Sequence, residues 1–463
     1  ADATDYQLNF NADLTTNERD PSIFDPEVIA RVSDHDPIII GFDLTEEPVS
    51  TPAFTLQLLH LSDGEAGLLA GSTAKNLAAL VDAFDDDYAN TLILSGGDTF
   101  LPGPFLAAGT DPSVIPTLNA VSGSTIAANA TVAIGAVDTA IHNAIGVEVS
   151  AIGNHEFDLG STAFAASFTP GGGFVGANYA LVSANLDFSG DSALNPRFTN
   201  TVGNGETPTA LAGTLKGRIA PAVVVEKGGE KIGVIGVTTQ ILEAISSPTG
   251  TEVKGFPGGP GANGERDDMV LLAAQLQPII DELRSEGINK IILTAHLQNI
   301  ANEKLLATLL DGVDIILAAG SNTRLGDADD EAQAFPGHAA DFADTYPLVI
   351  TDAGGGTTLI VNTDNEYTYL GRLKVDFDAQ GNIIAENLAA DAAINGAYAS
   401  TAENVAEAWG TTVDTLENTA FADGTKGDKV RDLTDAVGNV IAVKDGNVVG
   451  FTDVYLEGER AFV

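Results

Sequence analysis

In the run LLHLSDGEAG, Asp63 and Glu65 stand one residue apart directly after an apolar stretch. Two carboxylates at that spacing, at a strand end and followed by small residues, suit a site for a hard cation. Three more apolar runs end in related groups. SGGD ends in Asp98, AIGNHEFD carries Asn154 and His155, and ILTAH ends in His296. Carboxylates, an amide oxygen and imidazoles gathered on one sheet edge would make a two-cation site. Singly, each group is an ordinary residue of an acidic chain; the argument rests on their convergence.

The elements that must position them alternate. FTLQLLHLS, TLILSGGD, VSAIGNHEFD, KIILTAHL and VDIILAAG read as strands. STAKNLAALVDAFDDD, VDTAIHNAIG, MVLLAAQLQPIIDELRSEG and NEKLLATLL have helical spacing. VVVEKGGEKIGVIGVT reads as a hairpin turning on Gly228-Gly229. PLVITDAGGGTTLIVNT and YLGRLKVDFD add strands, TAENVAEAWGTTVDTLE reads as one amphipathic helix, and VVGFTDVYLEGERAFV as a final strand. Alternating strands and helices imply an α/β domain with helices covering sheets. In such domains chemistry collects where loops leave the carboxyl ends of strands, where all six candidates fall.

The 463 residues are 44% hydrophobic, enough for a large core. Acidic residues number 65 against 21 basic, a net charge of −44. That charge argues against a nucleic-acid duplex or an anionic membrane as partner. No cysteine is present, so thiolate ligands are excluded. The start, ADATDYQLNF, has neither a basic nor an apolar signal region, and no run reaches the ~18 apolar residues of a membrane span.

In this order the blocks SDGEAG, GGD, GNHEFDLG, TAH and DGVDIILAAGSNTRL resemble the calcineurin-like metallophosphoesterases, and within them the 5′-nucleotidase group, in wording similar to atypical alkaline phosphatases. The resemblance covers about residues 54–378. It implies a four-layer α/β/β/α sandwich and two divalent cations. By the same resemblance, Asp98 would bridge the cations, Asp63 would bind the first, and Asn154 and His296 the second. His155 would stand beside the leaving group, oriented by Asp158, and a hydroxide acidified by the cations would attack phosphorus in line. Asn154, His155 and Arg324 would contact substrate.

The chain departs from the family pattern twice. The family's Asp-x-His carries Glu65 in place of the histidine, and its Gly-His-x-His becomes Gly320-Ser321-Asn322-Thr323. Three imidazoles are replaced, so harder cations are expected: calcium, magnesium or manganese before zinc or iron. The expected substrate is a phosphate monoester or nucleotide, and the expected location extracellular or periplasmic. The alternatives are a non-catalytic, cation-binding domain of a large secreted protein, or a nuclease or phosphodiesterase.

SDHDPIIIGF resembles the closing motif of endonuclease/exonuclease/phosphatase domains, in which Asp34 and His35 would be catalytic; without the rest of that domain the pair is expected to be inert. Residues 1–44 thus read as a remnant and 45–53 as a linker. Residues 54–379 read as the catalytic domain, and 380–463 as a helical connector toward a further nucleotidase domain. His60 and His142 are expected to be structural. The sequence carries no signal for oligomeric state.

Overall fold

Strand β1 (Phe54–Leu61) is buried along nearly its whole length, as a central strand covered on both faces must be. Alternation sends Leu56 and Leu58 into one apolar core and Leu59 and Leu61 into another. The computed structural model describes residues 51–200, 211–256 and 267–445. All lie within the unit Ser50–Val463. The readings of Asp34-His35 and of VVGFTDVYLEGERAFV fall outside the described residues.

Two sheets carry the unit. The first combines β1 with β2 (Thr91–Ser95), β3 (Val149–Ala151), β4 (Ala180–Val182), β6 (Ile219–Ala220), β14 (Tyr369–Phe377) and β15 (Gly396–Ala399), in the order β15-β14-β1-β2-β3-β4-β6. The second combines β7 (Ala222–Lys227), β8 (Glu230–Thr238), β10 (Ile291–His296), β11 (Ile315–Ala319), β12 (Leu348–Thr351) and β13 (Thr357–Val361), in the order β12-β13-β11-β10-β8-β7. A small pair, β5 (Leu186–Asp187) with β9 (Glu252–Val253), stands apart. The expected hairpin is β7–β8, turning where Gly228 and Gly229 take positive φ.

Leu58, Leu94 and Val182 of the first sheet share a core with Val234 and Leu293 of the second. The sheets meet so closely that a Cβ on Gly236 would lie 2.1 Å from the Val182 carbonyl oxygen. Outside the first sheet, the helices Ala70–Phe84, Ala136–Ile145 and Lys426–Asp445 pack together; outside the second lie Met269–Ser285 and Ile300–Leu309. This is the four-layer α/β/β/α sandwich.

TAENVAEAWGTTVDTLE does not form one helix. Ala402–Ala408 is helical, and the chain breaks after Trp409 at Gly410, φ +60°. It restarts as a 3-10 segment, Val413–Asn418, with Thr412 as its N-cap. The Trp409 indole N–H donates to the Ala79 carbonyl, 2.9 Å, and ties this region to Ala70–Phe84. Residues 380–445 therefore contribute a sheet strand, β15, and the helix Lys426–Asp445 to the same unit.

β1, β2 and β3 run parallel in the first sheet, and β10 and β11 run parallel in the second. Asp63, Asp98, Asn154 and His155 follow the carboxyl ends of the first group. His296 and Gly320 close the second. At Gly96 the ends approach so closely that a Cβ would stand 2.5 Å from the Ala319 Cβ. The sandwich thereby joins five loops from two sheets.

Candidate metal centre

The loops that carry the site hold unusual backbone. Glu65, Asp98 and Gln298 have φ of +39°, +44° and +64°, a region non-glycine residues rarely enter. Such conformations persist where surrounding contacts over-determine them. Glu156 supplies contacts of that kind. Its buried carboxylate accepts the backbone N–H groups of Gly153 (2.8 Å), Asp98 (3.1 Å) and Thr99 (2.6 Å), tying the β2 loop to the β3 loop.

Two ligand triads meet at Asp98. One is Asp63, Asp98 and His296; the other is Glu65, Asp98 and His155; every member is buried. His296 Nε2 lies 2.9 Å from Asp98 Oδ2 and 3.2 Å from Asn154 Oδ1. The His296 Nδ1–H donates to the Gly96 carbonyl at 2.9 Å, which leaves Nε2 facing the cluster. His155 Nε2 stands 3.4 Å from Glu65 Oε1, and its Nδ1 lies 2.5 Å from Asp158 Oδ2. Asp158 is held in turn by the Ser246 hydroxyl, 2.7 Å. Asp63 accepts the Gly320 N–H on both oxygens, at 2.9 and 3.0 Å, and Asn365 Nδ2 donates to Glu65 Oε2. Asp63, Glu65, Asp98, Asn154, His155, Asp158 and His296 are thus brought together.

The titration pattern follows from burial and crowding. Burial pushes the Asp63 carboxyl well up; His296 offsets part of this, while Asp98 and Glu65 add to it. Glu65 is raised by burial and by Asp98. Burial would also raise Asp98, but the charge and hydrogen bond of His296, with help from His155, outweigh it and hold the group low. Burial disfavours charge on His296, yet Asp98 and Asp63 lift it to about 10. His155 reaches about 9, its desolvation overcome by Asp158, Asp98 and Glu65. A cluster that recruits protons as counter-charge has excess negative charge, which is what divalent cations neutralise.

The altered loop after β11 behaves differently from its neighbours. Ser321 Oγ donates to Thr323 Oγ1 (2.9 Å) and accepts from Asn362 Nδ2 (3.0 Å). These side chains bond within their own surroundings; the loop serves the site through the Gly320 N–H. Arg324, expected at the substrate, spends both guanidinium arms on Asp341 (2.5 Å) and Asp364 (3.2 Å). Two carboxylates from separate loops have captured the fork a phosphate would need. His338 is clamped between Asp364 (2.7 Å) and Glu366 (3.1 Å). His60 and His142 are fully buried; His60 bonds Tyr346 at 2.9 Å, and His142 packs beside Tyr179 and Tyr367.

Glu156, Asn365 and Gln298 were not legible as site residues. Glu156 lies inside GNHEFD, and its proximity to Asn154 was the available signal. Gln298 follows His296 by two residues, a position that carries no motif. Asn365 had no local signal.

Among known proteins, the chain is 27% identical over 245 residues to the 5′-nucleotidase of Bos taurus, 53% of this chain. A solved 5′-nucleotidase precursor from Thermus thermophilus matches with a TM-score of 0.51 and 26% identity, over 72% of this chain and 53% of that one. The chain is similar to 5′-nucleotidases in sequence over half its length and in fold. The fold is shared with the NAD nucleotidase of Haemophilus influenzae, TM-score 0.52 at 18% identity, over 85% of this chain and 61% of that one. No family model matches the sequence. The match spans 35% of the bovine relative's length. The family implies two divalent cations, and the two triads fit such a pair in donor type and burial. Among the described residues, no helix is long and apolar enough to cross a membrane.

Proposed function

We propose that the chain is a metal-dependent phosphatase that hydrolyses phosphate monoesters, nucleotides among them. One observation carries this reading: a single carboxylate, Asp98, belongs to two buried ligand triads that otherwise share no member. Two divalent cations held there would supply positive charge to the phosphate oxygens and acidify the attacking water. On this reading Asp63, instead of joining Glu65, would share one cation with Asp98, Asn154 and His296, and Glu65 with Asp98 would hold the other. His155, oriented by Asp158, faces the leaving group and steadies its charge. The donor set is rich in oxygen, so hard cations (calcium, magnesium or manganese) are favoured over zinc.

The acidic chain repels anionic substrates at a distance, so local attraction depends on the bound cations. On this reading the catalytic domain extends past residue 379 to include β15 and the helix Lys426–Asp445. The precursor designation of the Thermus relative supports a location outside the cytoplasm. A second reading, cation binding without turnover, is favoured by the capture of Arg324 by Asp341 and Asp364.

Hydrolysis of p-nitrophenyl phosphate and of AMP by metal-stripped protein, titrated with calcium, magnesium, manganese and zinc in turn, tests both readings. Activity restored by a hard cation supports the phosphatase. Cation binding without turnover supports the second reading. Recovery with zinc alone would sink the hard-cation assignment. Glu65→His should raise the response to zinc relative to manganese.

A further inference from the structure

We infer that Gln298 supplies a ligand oxygen to the cation held by Asn154 and His296, at the position left by the replaced imidazoles of the Gly320 loop. The inference rests on the metal-centre reading above and names one of its ligands.

The side-chain amide of Gln298 reaches the two atoms that define that position. Its Nε2 lies against Asn154 Oδ1 and 3.1 Å from His296 Nε2. Residues of the Gly320 loop do not fill this space, because Ser321 bonds to Thr323 and to Asn362. Gly320 makes room for the amide: a Cβ there would stand 2.6 Å from Gln298 Nε2 and 2.8 Å from His296 Nε2. The backbone of Gln298 takes φ +64° to deliver the side chain, a cost that this contact explains.

The chemistry then decides the amide's orientation. Asn154 Oδ1 offers lone pairs, and the Gln298 NH2 group covers them beside His296 Nε2. A cation bound to those lone pairs repels that NH2 group. Rotation of the terminal amide by half a turn exchanges nitrogen for oxygen with no change in shape. The rotated amide offers Oε1, a hard ligand beside Asn154 Oδ1 and Asp98. An amide thus stands in for an imidazole, and the position moves toward the hard cations.

Calorimetric and paramagnetic-resonance titration of the metal-stripped full chain with Mn2+ tests the assignment, with no reference to turnover. The wild type should bind two ions. Gln298→Ala should leave one ion at wild-type affinity and weaken the other about 10-fold or more, at least the loss seen for outer-shell partners. Gln298→Glu, which keeps the size and adds charge, should bind Mn2+ at least as tightly as wild type. Gln298→His should shift the weakened position toward Zn2+. Unchanged binding of both ions by Gln298→Ala overturns the inference and leaves the metal centre standing. So does weakening by Gln298→Glu equal to that of the alanine variant. A wild type that binds no Mn2+, Ca2+ or Zn2+ refutes the metal centre itself. Should the alanine variant fail to fold, the isosteric glutamate variant decides.

Discussion

Asp98 Oδ2 lies 2.9 Å from His296 Nε2; Asp98 follows β2 of one sheet and His296 ends β10 of the other. The contact closes the sandwich at the edge where the candidate ligands converge. Asp98→Asn keeps the shape but removes the charge shared by both triads. It is expected to weaken both cation positions by at least about 100-fold, the upper end of what loss of a mere outer-shell partner costs. Equilibrium dialysis against Mn2+ checks this; loss confined to one ion would show that Asp98 does not bridge.

His296 also sets a pH dependence. Its imidazole, raised to about 10 in the cation-free protein, keeps its proton through neutral pH. That proton must leave before Nε2 can ligate. Mn2+ affinity should therefore climb from pH 7 toward pH 10 and level off above it. Calorimetry in buffers of different ionisation enthalpy at pH 8 should show proton release on binding. No release would mean that Nε2 does not reach the cation.

Glu156 organises the loops through three backbone N–H groups. In Glu156→Gln the amide NH2 faces a backbone donor where a carboxylate oxygen had accepted. A cost of about 1–3 kcal/mol follows from the unsatisfied buried group. Urea unfolding measures it, and an unchanged midpoint would remove Glu156 from its assigned role.

His338 gives a stability term of opposite pH sense to most carboxylates. Hydrogen bonds to Asp364 and Glu366 raise it from 6.5 to about 9 against partial burial. A raised folded value means the stabilisation is full below about pH 6.5 and fades as pH rises through about 9. His338→Ala should cost about 2 kcal/mol at pH 6, the scale of a charge-assisted bond, and far less at pH 10. Thermal melts across that range provide the comparison; equal losses at both ends would place the effect in packing alone.

Much of this is legible in local patterns. Alternating apolar runs and helical spacing locate β1, β2, β10, β11 and the helices between them, because those periods follow from backbone geometry. GNHEFD brings Asn154, His155 and Asp158 into one turn. The break is marked by Gly410 and Thr412 but hidden by the apolar stripe, which continues across the change of backbone direction. The pairing of Arg324 is hidden for a similar reason. Its partners Asp341 and Asp364 lie 17 and 40 residues away in sequence, so no spacing points to them.

The sequence alone therefore determined which residue types stand at each strand end, and so the choice of oxygen over imidazole at Glu65, Ser321 and Thr323. Only the tertiary structure decided that Asp98 serves two triads, that Asn365 holds Glu65, and that Gln298 fills the space beside Gly320. The division has a physical reason. Strand and helix periods are set within a few residues, whereas the distance from Asp98 to His296 is set by how closely two sheets pack at Gly96 and Gly236.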